Sequence, residues 1–216
     1  MTSYKLSPSS LNLFNECPRC FWLEKHKKWK RPSGPFPSLP SGMDRILKEH
    51  FDKFRDKGEL PPEIANNKEC KNMKLFDDVE KMKVWQSNFK GVSWKDKMGN
   101  ELHGAVDNIL VKGKKLIVLD YKTRGYAVKD DTAEHYRLQQ NIYNFLLRKN
   151  GYETEDYFFL LFYYPKEVLF TGEVIFDTEL VKMKVDVSSA EKVWKRALRV
   201  LDGECPDKSC EWCDGR

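Results

Sequence analysis

Apolar residues recur along this chain with two periods, and the changes of period mark its elements. At the centre, residues 104–111 read as a strand, and Lys112-Gly113-Lys114 turns the chain. Leu116-Ile117-Val118-Leu119 is then a continuous apolar run leading into Asp120-Tyr121-Lys122. Residues 156–164, rich in Tyr, Phe and Leu, are apolar on both faces and predict an interior strand. Residues 88–95 predict the first strand of the sheet, turned into the central pair by Gly99-Asn100. Alternation through Val174, Phe176, Leu180, Met183 and Val185 is imperfect, so residues 172–186 predict one strand or a strand pair.

Helical spacing fills the intervals. Ser7-Pro8-Ser9-Ser10 caps a helix with Leu11, Leu13 and Phe14 inward, and Gly42 starts a longer one over about 43–57 with Met43, Leu47, Phe51 and Phe54 on its buried face. Asp44 and Lys48 flank that stripe and can also face inward. Further helices are predicted over 75–86, over 133–149 (capped by Asp130-Asp131-Thr132, with Leu138, Ile142, Phe145 and Leu146 inward) and over 190–202 (capped by Ser188-Ser189). Four prolines and a glycine make 31–41 a loop, and 58–74 reads as an irregular surface connection in which Cys70 is a bystander. Mixed strands and helices in this order predict an α/β fold, with a mixed central sheet flanked by helices.

Composition narrows the picture modestly. The 216 residues suit one domain over 1–216, and 33% charged residues against 40% hydrophobic, with a mean hydropathy of −0.67, mark a globular chain. No run approaches a membrane-spanning length and the first residues lack a signal-peptide core, so the expected address is the cytoplasm. The net charge of +5 permits a polyanionic partner without requiring one. Gly-rich phosphate loops, nucleophile elbows and H-E-x-x-H are missing from the sequence, which leaves NTPase, serine hydrolase and zincin readings unsupported.

The chemistry gathers at the end of the central apolar run. Side chains alternate along a strand, so Asp120 and Lys122 share one face and Tyr121 takes the other. A hydrophobic core has no use for a carboxylate and an ammonium there, and an isolated D-x-K is an exposed ion pair. With Asp107 on the preceding strand the three match what metal-assisted phosphodiester hydrolysis requires: two carboxylates for Mg²⁺ or Mn²⁺ and a lysine for the water or the developing charge.

Gly104-x-x-Asp107, Asp120-x-Lys122 and Gln139-x-x-x-Tyr143, in this order, resemble the PD-(D/E)XK nuclease superfamily, in particular its RecB-like branch, which includes CRISPR-associated RecB-like exonucleases and AddB-type nucleases. The resemblance implies a restriction-endonuclease-like fold in αβββαβ order and a DNA nuclease, exonuclease-like, acting on single strands or ends. Asp107, Asp120 and the backbone carbonyl of Tyr121 would hold the metal, and Lys122 would position water. Gln139 and Tyr143 would line the groove, and Arg124 would contact phosphate. The branch usually carries a histidine on the helix after Gly42. Ile46 stands at that position and His50 at that of a following glutamate, so the further ligand is open among Asp44, Glu49 and His50.

Six cysteines in a cytosolic chain point to metal rather than disulfides. Cys17-x-x-Cys20 and Cys210-x-x-Cys213 can supply four thiolates in tetrahedral arrangement, which suits Zn²⁺ or a 4Fe-4S cluster. The phrase Cys17-Pro18-Arg19-x-Phe21-x-Leu23 is similar to the N-terminus of cluster-bearing RecB-like nucleases, and this implies 4Fe-4S, either from the two pairs or from Cys17 with Cys205, Cys210 and Cys213. Residues 1–30 and 203–216 would then form a metal-bound lobe joining the termini. At the end of the first segment, residues 25–31 are a solvated basic face or a phosphate-contacting patch, with Trp22 or Trp29 for base stacking. Two other readings compete: a catalytically inactive DNA-binding or assembly module of the same fold, and a metal-thiolate redox protein.

Overall fold

The computed structural model describes residues 3–215. Two sheets form. The larger has the order β2 (Lys74–Leu75), β5 (Asn108–Lys112), β6 (Lys115–Thr123), β7 (Tyr157–Val168) and β8 (Val174–Lys184), and the smaller has β1 (Lys5–Leu6), β4 (Glu101–Gly104) and β3 (Val92–Lys95). In the larger sheet β6 and β7 run parallel and the other pairs antiparallel. The helices are α1 (Pro8–Glu16), α2 (Pro18–Lys25), α3 (Ser38–Lys57), the single turn α4 (Pro62–Ala65), α5 (Val79–Trp85), α6 (Arg137–Lys149) and α7 (Val187–Asp202). No helix among the described residues is long and apolar enough to cross a membrane.

The continuous apolar runs of β6 and β7 are explained by cover on both faces. Leu116 and Val118 of β6, with Phe158, Leu160 and Phe162 of β7, pack beneath Ile142 and Phe145 of α6 and Trp194 of α7. Ile117, Leu119, Tyr121, Phe159 and Leu161 pack on the other side against Leu47 and Phe51 of α3 and Ile64 of α4. This parity fixes the site. Asp120 and Lys122 fall on the α6 side and the Tyr121 ring on the α3 side, as strand alternation requires.

Several boundaries differ from the sequence expectation. Residues 104–111 are two strands in different sheets, β4 ending at Gly104 and β5 starting at Asn108. The break is held by α5, since Val106 N–H donates to Trp85 C=O at 3.0 Å and Gln86 Nε2 donates to Asp107 C=O at 2.9 Å. The strand within 88–95 covers Val92–Lys95 and belongs to the small sheet, and Leu75 lies in β2 rather than in α5. Helix α3 starts at Ser38, inside the expected proline loop. Pro40 is tolerated because it lies in the first turn, where backbone N–H groups have no intrahelical acceptor. The 58–74 connection is not wholly superficial, for Ile64, Cys70 and Met73 are buried in the α3-side core. Residues Thr132–Tyr136 form a 3-10 turn ahead of α6. Residues 172–186 resolve into the single strand β8, and Asp186 rather than Ser188-Ser189 caps α7, its carboxylate accepting from Ser189 N–H at 2.9 Å.

Candidate active site and cysteine centre

The break between β4 and β5 places Asp107 beside the end of β6. One Asp107 oxygen accepts from Tyr121 N–H at 3.1 Å, and the other lies 3.4 Å from the Lys48 ammonium of α3, itself 2.8 Å from Asp44. Asp120 is 1% exposed and forms an ion pair with Lys122. The Lys122 ammonium also donates to Gln139 Oε1 at 3.2 Å and sits 4.7 Å over the Tyr136 ring. Gln139 Nε2 donates to the Tyr143 hydroxyl at 2.8 Å, so one chain of contacts runs from β6 along α6.

Electrostatics sharpens this arrangement. Burial, and then the neighbouring charge of Asp120, push Asp107 up from 3.8 to about 7, against the opposing pull of Lys122 and Lys48. Burial by itself would lower Lys122, but Asp120 and Asp107 outweigh it and hold the ammonium protonated. Lys48 is raised in the same way by Asp107 and Asp44. The Asp120 oxygen facing Lys122 is fully covered, and the Lys122 ammonium is its partner. A covered carboxylate balanced by a lysine, next to a second carboxylate held against its own ionisation, is a donor set matched to a hard divalent cation.

The other candidates sort by position. Of the three on α3, Asp44 is tied to Asp107 through Lys48. Glu49 pairs with Arg45 at 3.0 Å on the exposed face. His50 lies 2.9 Å from Glu63, which also accepts from the Tyr163 hydroxyl at 3.0 Å, on the opposite side of the sheet. Arg124 leaves β6 with its guanidinium 5.2 Å over Tyr126, and its Nε is covered without a hydrogen bond. Trp22 stacks on His26 at 4.0 Å and donates to Gly203 C=O, while Trp29 packs against the cysteines, so both rings belong to the terminal lobe.

Residues that the sequence did not single out complete the site. Tyr136 supports Lys122 from the 3-10 turn. Below Tyr121, buried Arg55 donates to Asn108 Oδ1 at 2.6 Å, and Asn108 Nδ2 donates to the Tyr121 hydroxyl at 2.6 Å. The signal for Arg55 was a charged residue four positions after Phe51 on an apolar stripe. A cleft of about 310 Å³ opens beside Gln139 and Tyr143, lined also by Ser9, Asn88, His103 and Ala105.

In a separate cluster, Cys17, Cys20, Cys210 and Cys213 bring their Sγ atoms within 4.8 Å of one another, an arrangement that can hold a metal. The group joins the two termini, and Arg19 adds a hydrogen bond to Pro206 C=O at 2.8 Å. Cys205 packs beside the group with its thiol toward Pro206 C=O at 3.9 Å, and Cys70 lies apart in the α3-side core.

The family model of the PD-(D/E)XK nuclease superfamily matches residues 5–215. The chain belongs to this superfamily. Comparison with curated proteins gives no match. Membership in a PD-(D/E)XK superfamily made up mainly of metal-dependent nucleases implies a hydrolase acting on phosphodiester bonds of a nucleic-acid substrate. The match takes in both termini and the cysteine group as well as the two sheets.

Proposed function

We propose that this PD-(D/E)XK chain is a Mg²⁺- or Mn²⁺-dependent deoxyribonuclease of RecB-like kind, cutting exonucleolytically at DNA ends or single strands in the cytoplasm. The whole of residues 1–216 would act as one nuclease unit, with 1–30 and 203–216 as its terminal lobe. The observation that carries the reading is the buried Asp120–Lys122 ion pair lying with Asp107, a carboxyl whose ionisation burial and Asp120 oppose.

Asp107, Asp120 and the Tyr121 carbonyl would hold the ion, with Asp44 as the candidate further ligand from α3. When bound, the ion supplies Lewis-acid charge at the phosphate and eases deprotonation of water. Lys122, kept cationic by two carboxylates and oriented by Gln139 and Tyr136, hydrogen-bonds the attacking water and the developing phosphate charge. Gln139 and Tyr143 hold the strand in the adjoining cleft, and the Arg124 guanidinium takes a phosphate oxygen in bidentate fashion. Lys48 neutralises part of the Asp107 charge.

End-labelled single- and double-stranded DNA, incubated with Mn²⁺, with Mg²⁺ and without divalent ions, tests the reading. We expect metal-dependent shortening from an end that disappears in Lys122→Ala. DNA binding without cleavage in fully metal-loaded protein would instead favour an inactive module of the same fold.

A further inference from the structure

We propose that Cys17, Cys20, Cys210 and Cys213 form the site of a single, redox-silent zinc ion rather than of an iron–sulfur cluster. The spacing of the thiols carries the argument. Cys20 and Cys210 Sγ are 3.5 Å apart, while the Cys17–Cys213 and Cys210–Cys213 separations are both 3.8 Å. Four thiolates at a Zn–S distance of about 2.3 Å in tetrahedral geometry lie about 3.8 Å from one another, the edge of that tetrahedron. A 4Fe-4S cubane binds each thiolate to its own iron, with four irons and four sulfides in between, so its thiolates stand much further apart. All four Sγ atoms lie within 4.8 Å of one another, a spacing suited to one ion.

The surroundings fit the same assignment. Each C-x-x-C pair is tightened by a backbone donor, Cys20 N–H to Cys17 Sγ at 3.4 Å and Cys210 N–H to Cys213 Sγ at 3.4 Å. Four thiolates around Zn²⁺ carry a net double negative charge in a mostly buried setting. Arg31 offsets part of it, donating to Cys210 Sγ at 3.6 Å while paired to Glu16 at 2.7 Å. Orienting hydrogen bonds of this kind fix the ligands of structural metal sites. The ligand set is two plus two, with Cys205 outside it. Zinc has no accessible redox couple, so the lobe is a staple and the redox reading of the cysteines loses its basis.

The test does not involve nuclease activity, so it stands or falls separately from the function proposed above. The full chain is produced with iron and zinc both supplied, purified anaerobically without chelator, and its metals are counted. We expect about one zinc per chain, little iron and no broad visible absorption. Exchange with Co²⁺ should give the intense visible bands of a tetrahedral tetrathiolate, unchanged in Cys205→Ser and lost in Cys213→Ser. About four irons per chain with cluster absorption would overturn the proposal. Wild-type protein without stoichiometric metal, or loss of the ion in Cys205→Ser, would do the same. If Cys213→Ser does not fold, the wild-type and Cys205→Ser measurements still decide.

Discussion

Asp107 sits where its own charge is unwelcome, packed against Asp120 and raised to about 7 from 3.8. The folded state therefore holds its proton more tightly than the unfolded chain does, and in that window the unfolded state binds fewer protons. Stability from this group is present below about pH 4 and is lost as pH rises toward 7. We expect melting of zinc-loaded protein without Mg²⁺ or Mn²⁺ to fall over that range and Asp107→Asn to remove part of the fall. At pH 8 the variant should gain about 1 kcal/mol, or about 2–4 °C for a chain of this size. Saturating Mg²⁺ should favour the wild type, since a ligand bound to the native state alone stabilises it. A variant less stable than wild type at pH 8 without Mg²⁺ or Mn²⁺ would contradict this account. Asp107, Asp120 and Lys122 were legible in the sequence because charged residues at the end of an apolar run have no packing role. Tyr136 and the Arg55–Asn108–Tyr121 chain were not, because their partners come together through tertiary folding. Asn108→Leu should take the acceptor from Arg55 Nη2 and the donor from the Tyr121 hydroxyl, although Arg55 keeps Phe76 C=O and Asp52. The expected cost is about 1–3 kcal/mol in denaturant unfolding, and an unchanged midpoint would show that the buried chain contributes nothing.

Gly104 governs how β4 meets α6. A Cβ at this position would lie 2.6 Å from the Tyr143 ring, so the glycine lets that ring rest on the strand and reach Gln139. Gly91, just before β3, lets that strand approach β4 closely. It has φ +60, and its missing Cβ would lie 2.5 Å from Gly104 O. We expect Gly104→Ala to cost about 1–3 kcal/mol through overpacking and to weaken DNA binding, because the displaced Tyr143 lines the cleft. Calorimetric melting and a binding titration check both effects, and a variant with wild-type stability and affinity would remove Tyr143 from the groove. The pattern of apolar positions located most helices and the strands β6 and β7, whose runs are long. It missed the break at 105–107 because Val106 is buried like a strand residue although its N–H bonds to α5. It missed the start of α3 because prolines in a first turn read as loop.

On the scale of the whole molecule, the cysteine group closes the chain from Cys17 to Cys213, and α2 and α7 are drawn together with it. Hydrogen bonds from Tyr4 OH to Leu201 C=O and from Trp22 to Gly203 C=O stitch the same seam. That the two C-x-x-C motifs meet was legible from spacing, whereas the exclusion of Cys205 from the group needed the fold. The basic segment is divided: Lys27, Lys28 and Lys30 stay exposed, while Arg31 turns to Cys210. If those lysines meet phosphate, replacing all three by Ala should reduce the salt dependence of DNA binding by about 0.7–0.9 in logarithmic slope per lost contact, and an unchanged slope would assign them to solvent. The account as a whole rests on Asp107 and Asp120 holding a divalent ion. The most direct test is a titration of zinc-loaded protein with Mn²⁺, followed by electron paramagnetic resonance, for wild type and Asp120→Asn. We expect saturable Mn²⁺ binding in the wild type that is lost in the variant, while its fold and zinc content remain. Equal Mn²⁺ binding by both proteins, or none by either, would contradict the assignment of the catalytic metal to this pair.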